Sequence, residues 1–236
     1  MTSIAQNVAV IRERIANAAR RVNRSAEEIA LMAVTKTVEP ARIEEAYKAG
    51  IRVFGENRVQ EFAAKAAGLH DLTHARWRLI GRLQSNKSSQ AAELFAAVDS
   101  VDSIRLAQRL NAAAQAIGKK LETLLEINIG AEDSKHGFSP DSPELRDLLK
   151  QSAELTHLEI RGLMSIPPFT ENPEGARPYF RRLRQLRDEL ANSSRLKLGT
   201  LSMGMSHDFE VAIEEGSTCV RIGTAIFGER VAKAVS

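Results

Sequence analysis

Leu31-Met32-Ala33-Val34-Thr35-Lys36 is a short apolar run that ends in a lysine. An uninterrupted run of this length predicts a strand covered on both faces, as in a parallel sheet. The ammonium of Lys36 loses hydration at the end of such a strand, which lowers the pKa of its amino group. A neutral lysine amine forms Schiff bases with carbonyl compounds. The alternative is a lysine whose side chain extends past the strand to solvent.

The rest of the chain alternates short apolar strands with amphipathic helices. A helix is predicted over residues 3–21, before the first strand, and a short capping box begins at Ser25. The predicted strands are 31–36, 52–55, 77–80, 97–101, 121–129, 160–166, 198–203 and 218–222. Alternating strands and helices indicate a parallel sheet with helices outside it. We therefore expect an α/β fold, a single eight-stranded (β/α)8 TIM barrel with an extra N-terminal helix; a doubly wound open sheet is the alternative.

The composition predicts one soluble domain without a nucleic-acid partner. The 236 residues are 43% hydrophobic, which suffices for one core, so we expect a single domain over 1–236. The net charge is only +3 and aromatics are 5%, which provides little for phosphate binding along a nucleic acid or for base stacking. The lone Cys219 fits a reducing compartment. Without a leader or a long apolar segment, we expect a cytoplasmic monomer with no membrane partner.

Polar residues follow several predicted strands at the end where barrels of this type carry their active sites. Lys36 follows the first strand, Asn57 follows the second, and Arg221 lies on the eighth. Because the carboxyl ends of all eight strands meet at one mouth, we expect these side chains to converge there.

Two loops at this mouth are suited to an anion. Ser206 occupies the expected N-cap of the helix after the seventh strand, where its hydroxyl and free N–H groups favour negative charge. Gly223 and Thr224 follow the eighth strand, and barrel enzymes often hold phosphate between these two loops. Alone, Ser206 is explained as a plain N-cap and Gly223 as a turn. Together, opposite Lys36, they favour a phosphate-bearing aldehyde cofactor.

Other kinds of active site are not supported. His70 and His74 are four residues apart but lack a Glu-x-x-His context, so we expect no metal site. Cys219 lies in an apolar strand and is interpreted as inert core. The sequence contains no dinucleotide, Walker A or Gly-x-Ser-x-Gly pattern.

Seven segments, in order from about residue 5 to 230, carry a family resemblance. They are Ala33-Val34-Thr35-Lys36-Thr37, Phe54-Gly55-Glu56-Asn57-Arg58-Val59-Gln60-Glu61, Ile80-Gly81-Arg82-Leu83-Gln84-Ser85-Asn86-Lys87, Ser134-Lys135-His136-Gly137, Arg161-Gly162-Leu163-Met164-Ser165-Ile166, Leu201-Ser202-Met203-Gly204-Met205-Ser206 and Val220-Arg221-Ile222-Gly223-Thr224-Ala225-Ile226-Phe227-Gly228. By these segments the chain resembles the pyridoxal phosphate homeostasis protein family, whose fold is that of the N-terminal barrel of alanine racemase.

The resemblance implies a cofactor and the residues that bind it. The cofactor is pyridoxal 5'-phosphate (PLP), held as a Schiff base on Lys36. Ser206, Gly223 and Thr224 are implied to hold its phosphate. The remaining implied binding residues are Asn57, beside the ring, and Arg221, at the pyridine nitrogen.

The resemblance also implies a function with little or no turnover and no catalytic residue. An arginine at the pyridine nitrogen stays protonated, so the ring nitrogen does not, and the ring becomes a poorer electron sink. Alanine racemase takes a base from a second, β-rich domain, for which we expect no room after this barrel. The implied function is a PLP carrier or regulator that balances cofactor and amino and keto acid pools, with PLP-dependent apoenzymes as candidate partners.

Two enzymatic functions remain as alternatives. One is a single-domain PLP-dependent amino-acid racemase, which needs a second acid–base group facing Lys36; Lys87 and Lys135 are candidates. The other is a barrel aldolase that uses Lys36 directly on sugar phosphates. An absorbance spectrum separates the aldolase from the PLP proteins, because protein-bound PLP absorbs in the near-visible region.

Overall fold

A computed structural model describes residues 3–132, 136–194 and 196–229. Its eight parallel strands close into a barrel in sequence order, with β1 hydrogen-bonded to both β2 and β8. The strands are β1 (Ala30–Val34), β2 (Val53–Glu56), β3 (Arg76–Leu79), β4 (Ala97–Val101), β5 (Leu121–Glu126), β6 (Leu158–Met164), β7 (Thr200–Met205) and β8 (Cys219–Ile222). The pairing of β1 with β8 confirms the predicted barrel and rules out an open sheet.

Helices follow the strands and cover the outside of the barrel. They are α1 (Ile4–Arg21), α2 (Pro40–Lys48), α3 (Val59–Ala66), α4 (Ser88–Leu94), α5 (Ile104–Ala116), α6 (Pro143–Lys150), α7 (Arg177–Ser193), α8 (Phe209–Glu214) and α9 (Thr224–Phe227). The predicted N-terminal helix is confirmed as α1, which begins at a capping box on Ser3 and packs against α2, α8 and α9. Ser25 likewise begins a short 3₁₀ turn with a capping box, as predicted.

Several predicted strands end earlier than expected, and this places the polar residues on loops. β1 ends at Val34, so Lys36 lies two residues beyond it, next to Thr37 at φ 61°. β5 ends at Glu126 rather than near residue 129. Burial continues beyond both strand ends, at Thr35 after β1 and at Ile127 after β5, so the pattern of the sequence does not mark the last strand residue.

The inside of the barrel contains a buried ion pair in addition to its apolar layers. Arg78 on β3 donates to both carboxylate oxygens of Asp99 on β4, with N–O distances between 2.6 and 3.1 Å. Asp99 is fully buried, and the Arg78 side chain is 12% exposed. Burial lowers the pKa of Arg78, but the nearby Asp99 carboxylate more than offsets it, so that pKa is raised above its ordinary value.

Candidate functional site

Lys36 lies on a short loop at the carboxyl end of the barrel. The loop is held on both sides of the lysine: the Thr35 hydroxyl contacts Glu56 Oε1, and the Thr37 N–H donates to Glu61 Oε1 at 2.5 Å. Lys36 is half-buried and borders a cavity of about 300 Å³ at the mouth. We call this space the Lys36 cavity. The structure therefore places the lysine where the sequence predicted it, at the mouth of the barrel.

A buried polar network supports the loop from beneath. Glu56, the last residue of β2, is fully buried, and its Oε1 lies 2.8 Å from Lys65 Nζ. Lys65 also donates to the Thr35 carbonyl at 2.9 Å. Burial raises the pKa of Glu56, although the hydrogen bonds from Lys65 and Thr35 act in the opposite direction. The network joins β1, β2 and α3 directly below Lys36. The sequence analysis assigned no role to Glu56.

Arg221 is a buried cation on the wall of the Lys36 cavity. It lies on β8 in register with Met32 of β1 and is 3% exposed. Its guanidinium donates to the Ser202 carbonyl at 2.6 Å, the Ser202 hydroxyl at 2.8 Å and the Ser165 carbonyl at 2.8 Å. Among the described residues, no carboxylate oxygen lies within 4.0 Å of it. Burial lowers the pKa of Arg221, while Asp99, Asp208 and Glu126 act in the opposite direction from a greater distance. Its hydrogen-bond partners are all neutral.

Glu126 gives the same cavity a carboxyl group that titrates near neutral pH. It is the last residue of β5 and borders the cavity together with Lys36 and Arg221. Burial, and then the charge of Asp102, raise the pKa of Glu126 to about 7, while Arg221 and Arg82 act in the opposite direction. The sequence analysis did not single out Glu126, because the predicted strand continued past it. The available signal was a glutamate after Leu124 and Leu125, near the carboxyl end of a predicted barrel strand.

Ser206 brings together the loops after β7 and β8. Its Oγ accepts a hydrogen bond from the Ala225 N–H at 3.4 Å. The prediction that Ser206 is the N-cap of the following helix is wrong: α8 begins at Phe209, and Asp208 is its N-cap residue. The Asp208 side chain accepts from the Met205 N–H at 2.7 Å instead. The tight turn therefore takes up the residues expected to form the first helical turn, and the Ser206 hydroxyl faces α9.

Gly223 and Thr224 form the start of α9, next to Ser206. Gly223 has φ −111°, and a Cβ added there would lie 3.6 Å from Val34, an ordinary contact. Neither the backbone nor the neighbouring side chains therefore require glycine at this position. Thr224 is the first residue of α9 and is exposed. The helix α9 was missed by the sequence analysis because four residues are too few for a periodic signal.

The structure groups the six predicted residues into two adjoining sets. Lys36, Asn57 and Arg221 border the Lys36 cavity. Ser206, Gly223 and Thr224 lie on the loops beside it, and Met205, which precedes Ser206, also borders the cavity. Convergence at one mouth, which was predicted from strand order alone, is confirmed for their positions.

The structure also bears on the predictions for Cys219, for metal ligands and for a second lysine at the site. Cys219 is buried, and burial raises the pKa of its thiol to about 11, as expected for inert core. Within the described ranges, no group of three or more His, Cys, Asp or Glu side chains could hold a metal ion. In the same residues, no helix is both long and apolar enough to span a membrane. Lys135, a candidate second base, lies outside the described residues, and Lys87 borders a different cavity.

The sequence and the fold are both similar to those of known proteins. The alanine racemase N-terminal domain family matches residues 6–231. The pyridoxal phosphate homeostasis protein of Aquifex aeolicus is 47% identical over 92% of this chain and 94% of its own. The protein of that name from Escherichia coli is 45% identical over 98% of both chains. The structure of PipY from Synechococcus elongatus with PLP bound is similar, with 38% sequence identity and a TM-score of 0.84. The match covers 96% of this chain and 100% of the PipY chain.

Proposed function

The chain belongs to the pyridoxal phosphate homeostasis protein family, and from this premise we propose that it binds PLP and takes part in PLP homeostasis and amino and keto acid balance. The observation that carries the proposal is the Lys36 cavity, where a half-buried lysine and the buried Arg221, held by neutral partners, border the same space. The proposal takes the protein to be a cytoplasmic monomer that exchanges PLP with PLP-dependent apoenzymes.

The residues of the cavity fit the chemical groups of PLP. Lys36 supplies the amino group that would bind the aldehyde, and Asn57 would lie beside the ring. Arg221 supplies a permanent donor for the pyridine nitrogen, and its own bonds to Ser202 and Ser165 hold it in place. Bound PLP supplies an electron-withdrawing ring, whose strength depends on protonation of that nitrogen. A donor that keeps its proton leaves the nitrogen unprotonated, which supports binding with little turnover.

The loops beside the cavity fit the phosphate. The Ser206 hydroxyl lies at the start of α9, where it accepts from the Ala225 N–H, and Thr224 is the first residue of that helix. Hydroxyl and backbone N–H donors are the groups that commonly hold phosphate at the mouth of barrels. Because nothing in the protein requires glycine at 223, its missing side chain is best explained by the approach of a ligand.

One observation favours a second candidate function, a PLP-dependent amino-acid racemase. Glu126 borders the same cavity as Lys36, and its pKa of about 7 is suited to accepting or donating a proton near neutral pH. This group could serve as the second acid–base residue for which the sequence offered only lysines.

A steady-state assay separates the carrier from the enzyme. For the PLP-loaded protein and a panel of L- and D-amino acids, we expect racemisation and transamination rates far below the ordinary enzyme range of roughly 1–10³ s⁻¹. The reason is the weak electron sink beside Arg221. A rate inside that range that falls strongly in Glu126→Gln would establish the racemase instead. Absence of near-visible absorbance after incubation with PLP and removal of the free cofactor would contradict both functions.

Removing the hydroxyls should weaken phosphate binding selectively. Ser206→Ala and Thr224→Val should each weaken the binding free energy of PLP by about 1.5–3 kcal/mol, the usual value of a hydrogen bond to a charged group. Pyridoxal, which lacks the phosphate, should bind both variants nearly as well as the parent. Equilibrium titrations with the two ligands measure this. If the affinities for PLP and pyridoxal fall in equal proportion, the hydroxyls do not hold the phosphate.

A further inference from the structure

A second cavity, of about 840 Å³, lies beside the Lys36 cavity. It is formed by the loops that follow β2, β3 and β4, and the loop after β3 separates the two spaces. Four cationic side chains border it: Arg58, Arg82, Lys87 and Arg105. We call this space the basic cleft. Its volume lies within the range of about 300–1,000 Å³ found for small-molecule sites.

The cations of the basic cleft differ from most others in the protein in having no acidic partner. Among the described residues, none of the four has a carboxylate oxygen within 4.0 Å. Other arginines of the barrel are paired, among them Arg78 with Asp99 and Arg177 with Glu214. Like charges gathered in a concave surface repel one another and reinforce each other's attraction for an anion.

The remaining polar groups of the cleft do not cancel this charge. One carboxylate, Asp102, borders it, and Asp102 accepts a hydrogen bond from the Ser103 hydroxyl at 3.1 Å. Ser103 is also the N-cap of the 13-residue helix α5, so the positive end of that helix dipole lies at the cleft wall. Four cations and one carboxylate leave a surplus of positive charge, and arginine forks bind phosphate and carboxylate groups in bidentate fashion.

Arg82 connects the basic cleft to the Lys36 cavity, because it borders both. The neighbouring Gly81 fixes the loop between them: a Cβ there would lie 2.3 Å from the carbonyl oxygen of Asn57, which also borders the Lys36 cavity. An anion that engages Arg82 from the cleft therefore removes positive potential from the cavity that faces it.

We propose that the basic cleft binds a small, multiply charged anion bearing phosphate or carboxylate groups, and that this anion opposes PLP binding through Arg82. Binding of the anion in the basic cleft does not depend on the proposed function, whereas its opposition to PLP binding rests on that function. By linkage, the coupling is reciprocal: the anion weakens PLP binding by the same factor by which PLP weakens binding of the anion.

Calorimetric titration of the full chain with pyrophosphate and with citrate tests the binding. The parent should bind at least one of them at a single site, more weakly at high salt, and the preferred anion distinguishes phosphate from carboxylate recognition. The double variant Arg58→Ala/Arg105→Ala should lose at least tenfold in affinity. The control Arg20→Ala/Arg146→Ala removes two exposed arginines from other helices, which also lack acidic partners in the described part, and should bind like the parent. All four side chains are exposed, so both double variants should fold.

The same titration on PLP-saturated protein tests the coupling. We expect binding to persist there with about fivefold lower affinity, and Arg82→Ala to abolish that difference. Binding that disappears completely when PLP is saturating would mean that the anion occupies the Lys36 cavity, and the cleft assignment would be wrong. Failure of both anions to bind, or equal losses in the two double variants, would also overturn it. A protein that binds these anions in the cleft but takes up no PLP would leave the cleft standing and refute the proposed function.

Discussion

Replacing Lys36 by alanine should abolish covalent retention of PLP and leave the barrel folded. Lys36 supplies the amino group that borders the cavity, and no other lysine among the described residues borders it. The side chain is half-buried and lies on a loop beyond the end of β1, so its removal leaves the parallel ladder intact. After incubation with PLP and removal of free cofactor, the near-visible absorbance of the parent should be absent from Lys36→Ala.

Borohydride reduction followed by peptide mass spectrometry identifies the lysine directly. In the parent, the PLP adduct should lie on the peptide that contains Lys36. Lys48→Ala is the matched control, since it removes an exposed lysine from α2 and should leave both absorbance and adduct unchanged. An adduct on Lys87 or Lys135 in the parent, with none on Lys36, would disprove the assignment.

The loss of PLP retention in Lys36→Ala should come from the missing amino group and not from disruption of the Glu56–Lys65 network beneath the loop. Glu56 and Lys65 hold the Thr35 side of the loop through a 2.8 Å ion pair and a 2.9 Å hydrogen bond. They do not border the cavity, so they act on PLP binding only through the position of Lys36. They contact Thr35 and each other, so Lys36→Ala should leave them in place. The circular dichroism spectrum of Lys36→Ala should therefore overlay that of the parent.

The sequence determined the architecture because each barrel unit carries its own signal. Buried parallel strands are continuous apolar runs, and the helices between them show the 3.6-residue period. β4 was located to the residue, Ala97–Val101, because a helix end and a helix N-cap limit it closely. The ends of β1 and β5 were not located, since buried residues continue into the loops after them, Thr35 after β1 and Ile127 after β5.

The site was predictable only as far as it depends on strand order. Lys36, Asn57 and Arg221 follow or lie on strands whose ends must meet, so their convergence could be predicted. The start of α8 could not be predicted in this way. Ser206 and Asp208 are both residue types that commonly precede a helix, and the structure has the later start because the Asp208 carboxylate accepts from the Met205 N–H and closes a turn first.

The basic cleft lay beyond sequence reasoning for a different reason. Arg58, Arg82 and Arg105 follow three different strands, β2, β3 and β4, and none belongs to a cluster of basic residues along the chain. What distinguishes them is that they border one cavity and that, in the described structure, none of them has an acidic partner. Both properties depend on how distant parts of the chain are placed. The pKa of Glu126 depends in the same way on burial and on charges from other strands.

Replacing Asp99 by alanine should be among the most destabilising single changes in this protein. Asp99 is fully buried inside the barrel and accepts three hydrogen bonds from Arg78, at 3.1, 3.0 and 2.6 Å. Without it the Arg78 guanidinium stays buried with only Glu122, 3.2 Å away at the edge of the barrel, as an acidic partner. Loss of one partner of a buried ion pair typically costs about 3–5 kcal/mol.

Chemical denaturation of the parent and Asp99→Ala measures this cost as a change in the free energy of unfolding. The matched control is Asp147→Ala, which removes the 2.9 Å ion pair with Lys150 on α6, where the two side chains are 50% and 76% exposed. An exposed pair contributes only about 0–1 kcal/mol, because both charges remain hydrated when separated. A double variant with Arg78→Met should recover part of the loss, since it removes the unpaired charge as well. If Asp99→Ala lowers the free energy of unfolding by no more than Asp147→Ala does, then water or another polar group replaces Asp99 at the Arg78 guanidinium, and the ion pair does not stabilise the barrel as argued.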